Sequence, residues 1–121
     1  MKKAQLDALR SRLEEERSRL RAEIEEYERE GQETLSDVSG ENNYRDHMAD
    51  QGSATFAREL DMTLEDNARQ RLEQIERALA RMDEGTYGTC ARCGSPIGEA
   101  RLEAVPAAEL CIVCKEREES A

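Results

Sequence analysis

Two Cys-x-x-Cys pairs constrain the fold of this chain more than any other feature. The pairs are Cys90–Cys93 and Cys111–Cys114, they are separated by 17 residues, and they contain all four cysteines. This spacing is typical of a tetrahedral zinc site, in which each pair forms a tight turn that directs two sulfurs to one ion. Gly94 fits such a turn, because glycine adopts a positive φ at little cost. The sequence therefore predicts that Cys90, Cys93, Cys111 and Cys114 bind one structural zinc ion.

Redox activity of a Cys-x-x-Cys pair and zinc-dependent catalysis are the alternatives for these cysteines. Catalytic zinc usually keeps three protein ligands and an open position, whereas four thiolates would close the shell. The only histidine, His47, lies far from the pairs in sequence and is interpreted as a solvated surface residue. A structural metal site and no enzymatic activity are therefore expected.

Two long amphipathic helices are predicted before the cysteine pairs, over about 4–30 and 54–83. Apolar residues recur there at intervals that place them on one helix face, and no proline interrupts them. Gly31 is expected to end the first helix. Ser53 is expected to cap the second helix, and Gly85 and Gly88 are expected to end it before the first cysteine pair. The predicted apolar faces are Leu6, Leu9, Leu13, Leu20, Ile24 and Tyr27 in the first helix, and Phe56, Leu60, Leu64, Ala68, Leu72, Ile75, Leu79 and Met82 in the second.

Because neither helix can bury its apolar face alone, the two are predicted to form a long antiparallel coiled-coil hairpin. The expected organisation is mainly α, with a hairpin over 1–84 whose tip loop spans about 32–52, and a four-cysteine zinc-finger module over 85–121. The module is expected to be a small zinc-ribbon-like knob followed by a C-terminal helical turn. Its small core is predicted to contain Ile97, Leu102, Val105, Leu110, Ile112 and Val113.

The acidic composition limits the kinds of partner. The formal net charge is -10, and 38% of the residues are charged. A protein that binds DNA without sequence preference needs Lys and Arg to neutralise phosphates, so basic protein surfaces or cation-holding sites are favoured as partners. No apolar run approaches the ~20 residues needed to span a bilayer, and no targeting segment is recognised. We therefore expect a cytoplasmic location, where paired cysteines hold zinc more often than they form disulfides.

Asp46 and Asp50 are the candidate functional residues of the predicted tip loop. They are four positions apart, so on a helical turn they would share one face. Such carboxylates could contact a metal ion or basic residues inside a cavity of a partner. They could equally be solvated residues of a polar loop, and the composition does not decide between these interpretations.

The residues around both cysteine pairs resemble the DksA/TraR family of bacterial regulators that bind RNA polymerase. The similarity is most specific over 85–94 and in Leu110-Cys111-Ile-Val-Cys114, and a second block covers 48–56. The resemblance implies a four-cysteine zinc module that carries a coiled-coil hairpin. It also implies that the hairpin enters the secondary channel of RNA polymerase and modulates initiation without direct promoter recognition.

The tip of the hairpin departs from the family pattern. Family tips often follow Asp-x-x-Asp-x-Ala; Asp50 matches the second Asp, while His47 and Gly52 occupy the first Asp and the Ala positions, and Asp46 lies one residue early. The resemblance thus implies that Asp50, with Asp46 as the second candidate, acts near the polymerase active site.

A response to guanosine tetraphosphate depends, in the family, on basic residues near the zinc module. Val105 precedes Pro106 at a position where Arg is common, and Lys115 is the main basic residue directly after Cys114. A nucleotide response is therefore not expected.

Other functions are compatible with the same residues. The first is a zinc-stabilised interaction module for a different protein partner. The second is a factor that positions magnesium for transcript hydrolysis. The third is a DNA-binding zinc finger, which the acidic net charge disfavours.

Overall fold

The computed structural model describes the backbone of residues 1–38 and 44–120 and the side chains of residues 1–31 and 56–120. The elements in chain order are α1 (Lys3–Val38), α2 (Tyr44–Glu84), α3 (Glu99–Ala104) and α4 (Ile112–Ser120). No helix in these ranges is both long and apolar enough to cross a membrane. The mainly α, hairpin-like architecture that the sequence predicts is confirmed.

Two compact units make up the chain. Unit 1 contains Met1–Arg19 and Leu72–Ala121, and unit 2 contains Leu20–Arg71. The boundary expected between residues 84 and 85 falls inside unit 1, because the cysteine module shares a core with the ends of α1 and α2.

One ion pair joins α1 to α2 in each unit. Arg10 Nη2 lies 2.8 Å from Asp83 Oδ1 in unit 1. In unit 2, Arg69 Nη2 lies 2.7 Å from Glu28 Oε1. These pairs are largely exposed and contribute little to stability, so the apolar face carries the packing.

The predicted apolar face of α1 is confirmed where side chains are described. Leu13 is 1% exposed, and the face continues through other buried residues, while Leu6 and Tyr27 are half-buried. On α2 the face is buried at its C-terminal end. Leu72 and Met82 are half-buried, and Ala78, which was not among the predicted residues, is buried. The buried members of the two predicted faces are Leu9, Leu13, Leu20, Ile24, Ala68, Ile75 and Leu79.

The N-terminal part of the predicted α2 face is not buried. Phe56 is 70% exposed, and Leu60 and Leu64 are also exposed. Their placement in the hairpin core was therefore wrong. Helical periodicity shows that residues share a face, but burial also needs an apolar partner, and α1 has no described apolar residue beyond Tyr27.

The helix ends nearest the predicted tip loop also differ from expectation. α1 continues through Gly31 to Val38, and α2 begins at Tyr44 rather than near Ala54. Residues 32–38 and 44–52 of the expected loop are therefore helical, and residues 39–43 lie outside the described residues. Gly31 and Gly52, which lie within these helices, cost only about 1 kcal/mol each, whereas a proline would cost about 3, and residues 32–52 contain no proline.

The C-terminal end of α2 is a Schellman turn. Gly85 has a φ of 80°, its N–H donates to Met82 O, and the N–H of Thr86 donates to Arg81 O at 2.9 Å. This pattern satisfies the last carbonyl groups of the helix and requires a left-handed residue, which glycine supplies. The prediction that Gly85 ends the second helix is confirmed, and the turn sends the chain directly into the first cysteine pair.

The cysteine module is built mostly from turns and two short helices. α4 is nine residues long, so the chain after Cys111 is a longer helix than the single turn expected. An isolated antiparallel bridge joins Thr89 to Pro96, and the described part of the chain has no β-strand.

Three residues predicted in the core of the module are exposed instead. Ile97 and Leu102 are buried and Leu110 is half-buried, but Val105, Ile112 and Val113 are about half exposed. The core is completed by Ala108 of the module and, from outside the module, by Leu9 of α1 and Met82 of α2. Residues of the hairpin thus occupy the space that the sequence assigned to those three side chains.

Candidate metal centre

The four cysteine sulfurs converge on one point. One Sγ atom from each of Cys90, Cys93, Cys111 and Cys114 lies within 4.8 Å of the other three. Cys93 Sγ and Cys111 Sγ, which come from different pairs, are 3.7 Å apart. All four cysteines are free thiols rather than disulfides. The described residues contain no other group of three or more His, Cys, Asp or Glu side chains so arranged.

The spacing of the sulfurs fits a zinc ion. Four sulfurs at about 2.3 Å from one tetrahedral zinc lie about 3.8 Å from one another. The 3.7 Å separation between the two pairs matches this edge, and the 4.8 Å limit leaves only a small contraction for the others. A disulfide, by contrast, needs sulfurs about 2.05 Å apart. Four soft thiolate ligands in a closed shell are typical of structural zinc rather than of a catalytic ion.

Backbone hydrogen bonds shape the turn of the first cysteine pair. The N–H of Gly94 donates to Cys90 O at 3.0 Å, and the N–H of Cys90 donates to Ser95 O at 2.8 Å. Gly94 has a φ of 76°, as its position after Cys93 predicted. The turn therefore folds back on itself and presents both sulfurs to the same side.

The second cysteine pair begins helix α4. The N–H of Lys115 donates to Cys111 O at 2.9 Å, which closes the first helical turn around the pair. Arg101 of α3 donates from Nε to Leu110 O at 3.0 Å. The N–H of Ala91, next to Cys90, donates to Glu109 O at 2.9 Å. The last bond joins the segment that carries the first pair to the segment that carries the second.

The local surroundings shift the pKa values of Cys90, Cys93 and Cys114 in different directions. Backbone N–H groups of Cys93 and Cys111 donate to the Cys90 sulfur and lower the pKa of this thiol to about 6. Hydrogen bonds from Ser95 lower the pKa of the Cys93 thiol. The neighbouring Cys111 thiol, and then burial, raise the pKa of Cys114 to about 12. Sulfurs this close cannot all ionise without a cation, and a bound divalent ion would favour the thiolate form of each.

Burial differs across the site as well. Cys90 and Cys114 are 2% and 4% exposed, and they belong to the same apolar cluster as Leu9 and Leu102. Cys93 is exposed and Cys111 is half-buried. One sulfur of each pair is therefore fixed in the core, while the other faces outward.

Tyr87 and Arg12 tie the surrounding loop to the helices. The Tyr87 hydroxyl donates to Pro106 O at 2.8 Å, and Arg12 Nη1 donates to Glu103 O at 2.9 Å at the end of α3. The sequence analysis assigned no role to Tyr87, Arg12, Arg101 or Glu109. Tyr87 and Glu109 lie close to the cysteines in sequence, which could have drawn attention to them. No local pattern, however, identifies hydrogen-bond partners that lie between 9 and 91 residues away.

The candidate tip residues lie elsewhere in the chain. The backbone of Asp46, His47, Asp50 and Gly52 belongs to α2, while their side chains lie outside the described residues. Because all four are helical, Asp46 and Asp50 are one turn apart, as their spacing suggested.

This fold and this site define a class of protein: a helical hairpin joined to a four-cysteine module of the zinc-finger type. Residues 85–120 match the family described as the prokaryotic dksA/traR C4-type zinc finger. The RNA polymerase-binding transcription factor DksA of Caulobacter vibrioides is 38% identical over 107 residues, which are 88% of this chain and 75% of that protein. The Escherichia coli K12 protein of the same name is 33% identical over 115 residues, covering 95% and 72%.

A solved structure supports the same assignment. Transcription factor DksA2 from Pseudomonas aeruginosa superposes with a TM-score of 0.77 and 35% identity, over 99% of this chain and 87% of that one. The chain belongs to the DksA/TraR family. Its relatives described here are named transcription factors rather than enzymes, in agreement with the expectation of a non-enzymatic protein.

We expect Tyr87→Phe to lower the free energy of unfolding at neutral pH by about 0.5–1.5 kcal/mol, because the hydrogen bond to Pro106 O is lost. Burial raises the pKa of Tyr87, so the fold favours the neutral phenol. This stabilisation is present below the unfolded pKa of about 10 and is lost as the pH rises through the higher folded pKa.

The measurement is urea denaturation of both proteins from pH 7 to pH 11. The stability difference should shrink at the alkaline end, since ionised Tyr87 cannot donate to Pro106. The lysines and the other tyrosines titrate in both proteins and cancel in the difference. A constant difference across this range would contradict the assigned role of the hydroxyl.

Proposed function

We propose that this protein binds bacterial RNA polymerase and modulates transcription initiation. The observation that carries the proposal is similarity to two proteins named RNA polymerase-binding transcription factor DksA, each matched over more than two thirds of its length. The proposed location is the cytoplasm, where that enzyme works. Nucleic-acid recognition is left to the polymerase, because a chain with a net charge of -10 is poorly suited to neutralise DNA phosphates.

The proposed cofactor is one structural zinc ion held by Cys90, Cys93, Cys111 and Cys114. When bound, zinc would supply a cross-link between two turns that are separated by 17 residues, and no reaction chemistry. The protein's own residues shape the site. The Cys90 sulfur accepts hydrogen bonds from backbone N–H groups. The two buried cysteines, Cys90 from the first pair and Cys114 from the second, belong to the core that the module shares with α1. The module would thereby be fixed to the hairpin.

The proposed mechanism places the tip of the hairpin, around Asp46 and Asp50, in the secondary channel of the polymerase. Carboxylates there would contact basic residues or bound magnesium near the active site and alter the stability of initiation complexes. Asp50 is the first candidate, since it matches the second acidic position of the family tip. His47 and Gly52 replace the other two pattern residues.

A response to guanosine tetraphosphate is not part of the proposal. Val105 places an apolar, 47% exposed side chain before Pro106, where basic residues would be needed to bind phosphates.

Co-purification tests the partner directly. A tagged chain expressed in a bacterium should recover the core subunits of RNA polymerase, at a level that falls when untagged protein is added in excess. Recovery of another protein without polymerase subunits would favour the alternative of a zinc-stabilised interaction module for a different partner.

We expect Cys111→Ser to lose the bound zinc and to lower the Tm by more than about 10 °C, because one soft ligand is removed from a site that holds two turns together. Metal content by mass spectrometry and thermal melting by circular dichroism provide the two measurements. Val113→Ser, a serine substitution at an exposed position between Cys111 and Cys114, is the matched control and should retain zinc. Full zinc content in Cys111→Ser would refute the ligand set.

We expect Asp50→Asn to weaken the effect on initiation about 5-fold or more, the consequence of losing about 1 kcal/mol of charge interaction, while zinc content and polymerase affinity stay near wild type. In vitro transcription with purified polymerase measures the effect. Asp46→Asn should act in the same direction to a smaller extent, and Asp7→Asn, an exposed change in α1, is the control. Unchanged transcription with Asp50→Asn would show that the tip assignment is wrong.

A further inference from the structure

Glu109 connects the two cysteine pairs through its backbone. It precedes Cys111 by two residues, and its carbonyl oxygen accepts the N–H of Ala91 at 2.9 Å, next to Cys90. A shift of Glu109 would therefore move one sulfur of each pair. This bond spans two segments that are distant in sequence, and both segments must be in place before four sulfurs can share one ion.

The side chain of the same residue faces helix α2. Glu109 Oε1 lies 2.5 Å from Arg77 Nε and 3.5 Å from Arg81 Nη2. The Arg77 side chain is 54% exposed, so its pair with Glu109 is partly solvated and contributes little. Arg81 is different, because its side chain is only 16% exposed.

Arg81 depends on Glu109 for charge compensation. Its Nε and Nη2 atoms are buried and make no hydrogen bond in the described part of the chain, and Glu109 is the carboxylate recorded beside it. A buried guanidinium without a counterion is strongly unfavourable. The carboxylate of Glu109 thus holds the segment before Cys111 against α2 more firmly than an exposed ion pair would.

Arg81 also lies in the last turn of α2, directly before the segment that carries the first cysteine pair. Its carbonyl oxygen accepts the N–H groups of Thr86 and Tyr87, at 2.9 and 3.2 Å, in the Schellman turn at Gly85. Arg81 therefore contacts the segments that lead to both cysteine pairs. Its carbonyl oxygen contacts the segment before Cys90, and its side chain contacts Glu109, before Cys111.

We propose that Glu109 is a positioning residue for the metal centre, which couples zinc binding to the order of the last two turns of α2. Its backbone sets the distance between the cysteine pairs, and its carboxylate fixes that arrangement to Arg81. Binding of zinc then stabilises the end of α2, and the Arg81–Glu109 contact raises zinc affinity, because coupling between two sites is reciprocal. The inference rests on the zinc binding proposed above.

Zinc affinity, measured by competition with a chromophoric chelator, is the first test. Glu109→Gln should weaken zinc binding about 10-fold, the usual scale for groups that orient metal ligands from outside the coordination shell. Arg81→Gln should weaken it similarly. The double substitution should cost little more than either single one, because both remove the Arg81–Glu109 contact and the Arg77–Glu109 pair, which Glu109→Gln also removes, is partly solvated and contributes little. Asp83→Asn breaks the exposed Arg10–Asp83 ion pair at the same end of α2, and as the matched control it should leave the affinity within about 2-fold.

Hydrogen exchange of the full chain separates positioning from general stabilisation. In the wild type, zinc should slow the exchange of backbone amides over residues 78–86, and in Glu109→Gln most of this zinc-dependent slowing should disappear. Glu109→Asp, which keeps the charge, should recover part of it. A residue with a merely structural role would change exchange equally with and without zinc.

Two results would overturn the inference in distinguishable ways. Wild-type zinc affinity and wild-type zinc-dependent protection in Glu109→Gln would refute the role of Glu109 and leave the zinc site intact. Failure of the wild-type protein itself to bind zinc would refute the proposed metal centre, and the coupling with it.

Discussion

The convergence of four sulfurs within 4.8 Å is the constraint on which the rest of unit 1 depends. Two short turns that are 17 residues apart have little apolar surface of their own, and they meet only because other contacts bring them together. Those contacts come from every side: Leu9 from α1, Met82 from α2 and Leu102 from α3. The ends of the two long helices and the four-cysteine module therefore share one apolar core, and each contributes residues that bury the other.

Much of this arrangement could be predicted from local sequence. The spacing of the cysteines carries the geometry of the site, since each Cys-x-x-Cys forms its turn from neighbouring residues. Gly85 and Gly94 could be assigned in advance because each occupies a backbone conformation that other residues rarely adopt. The buried faces over residues 9–24 and 68–79 followed from periodicity, which is a reliable signal when both helices supply apolar partners.

The remainder depends on tertiary context that periodicity does not contain. Gly31 was expected to end α1, but a glycine is a modest penalty that a long helix can absorb. Val105, Ile112 and Val113 are exposed because hairpin residues fill the core of the module, and no pattern in 85–121 indicates this. Arg77 has Glu73 one turn before it in the sequence, yet it contacts Glu109, 32 residues later. A charged side chain has several possible partners of opposite charge in the sequence, and only the folded structure determines which of them lies within reach.

Leu9 has a consequence for how this family could diversify. It lies in the first helix, more than 80 positions before the nearest cysteine, and yet it is 5% exposed within the cluster that contains Cys90 and Cys114. The segment that matches the zinc-finger family, 85–120, is thus not an autonomous cassette. Grafting it onto another scaffold would leave its apolar underside bare unless the new host offered an equivalent side chain, so recombination should tend to exchange the finger together with both helix ends.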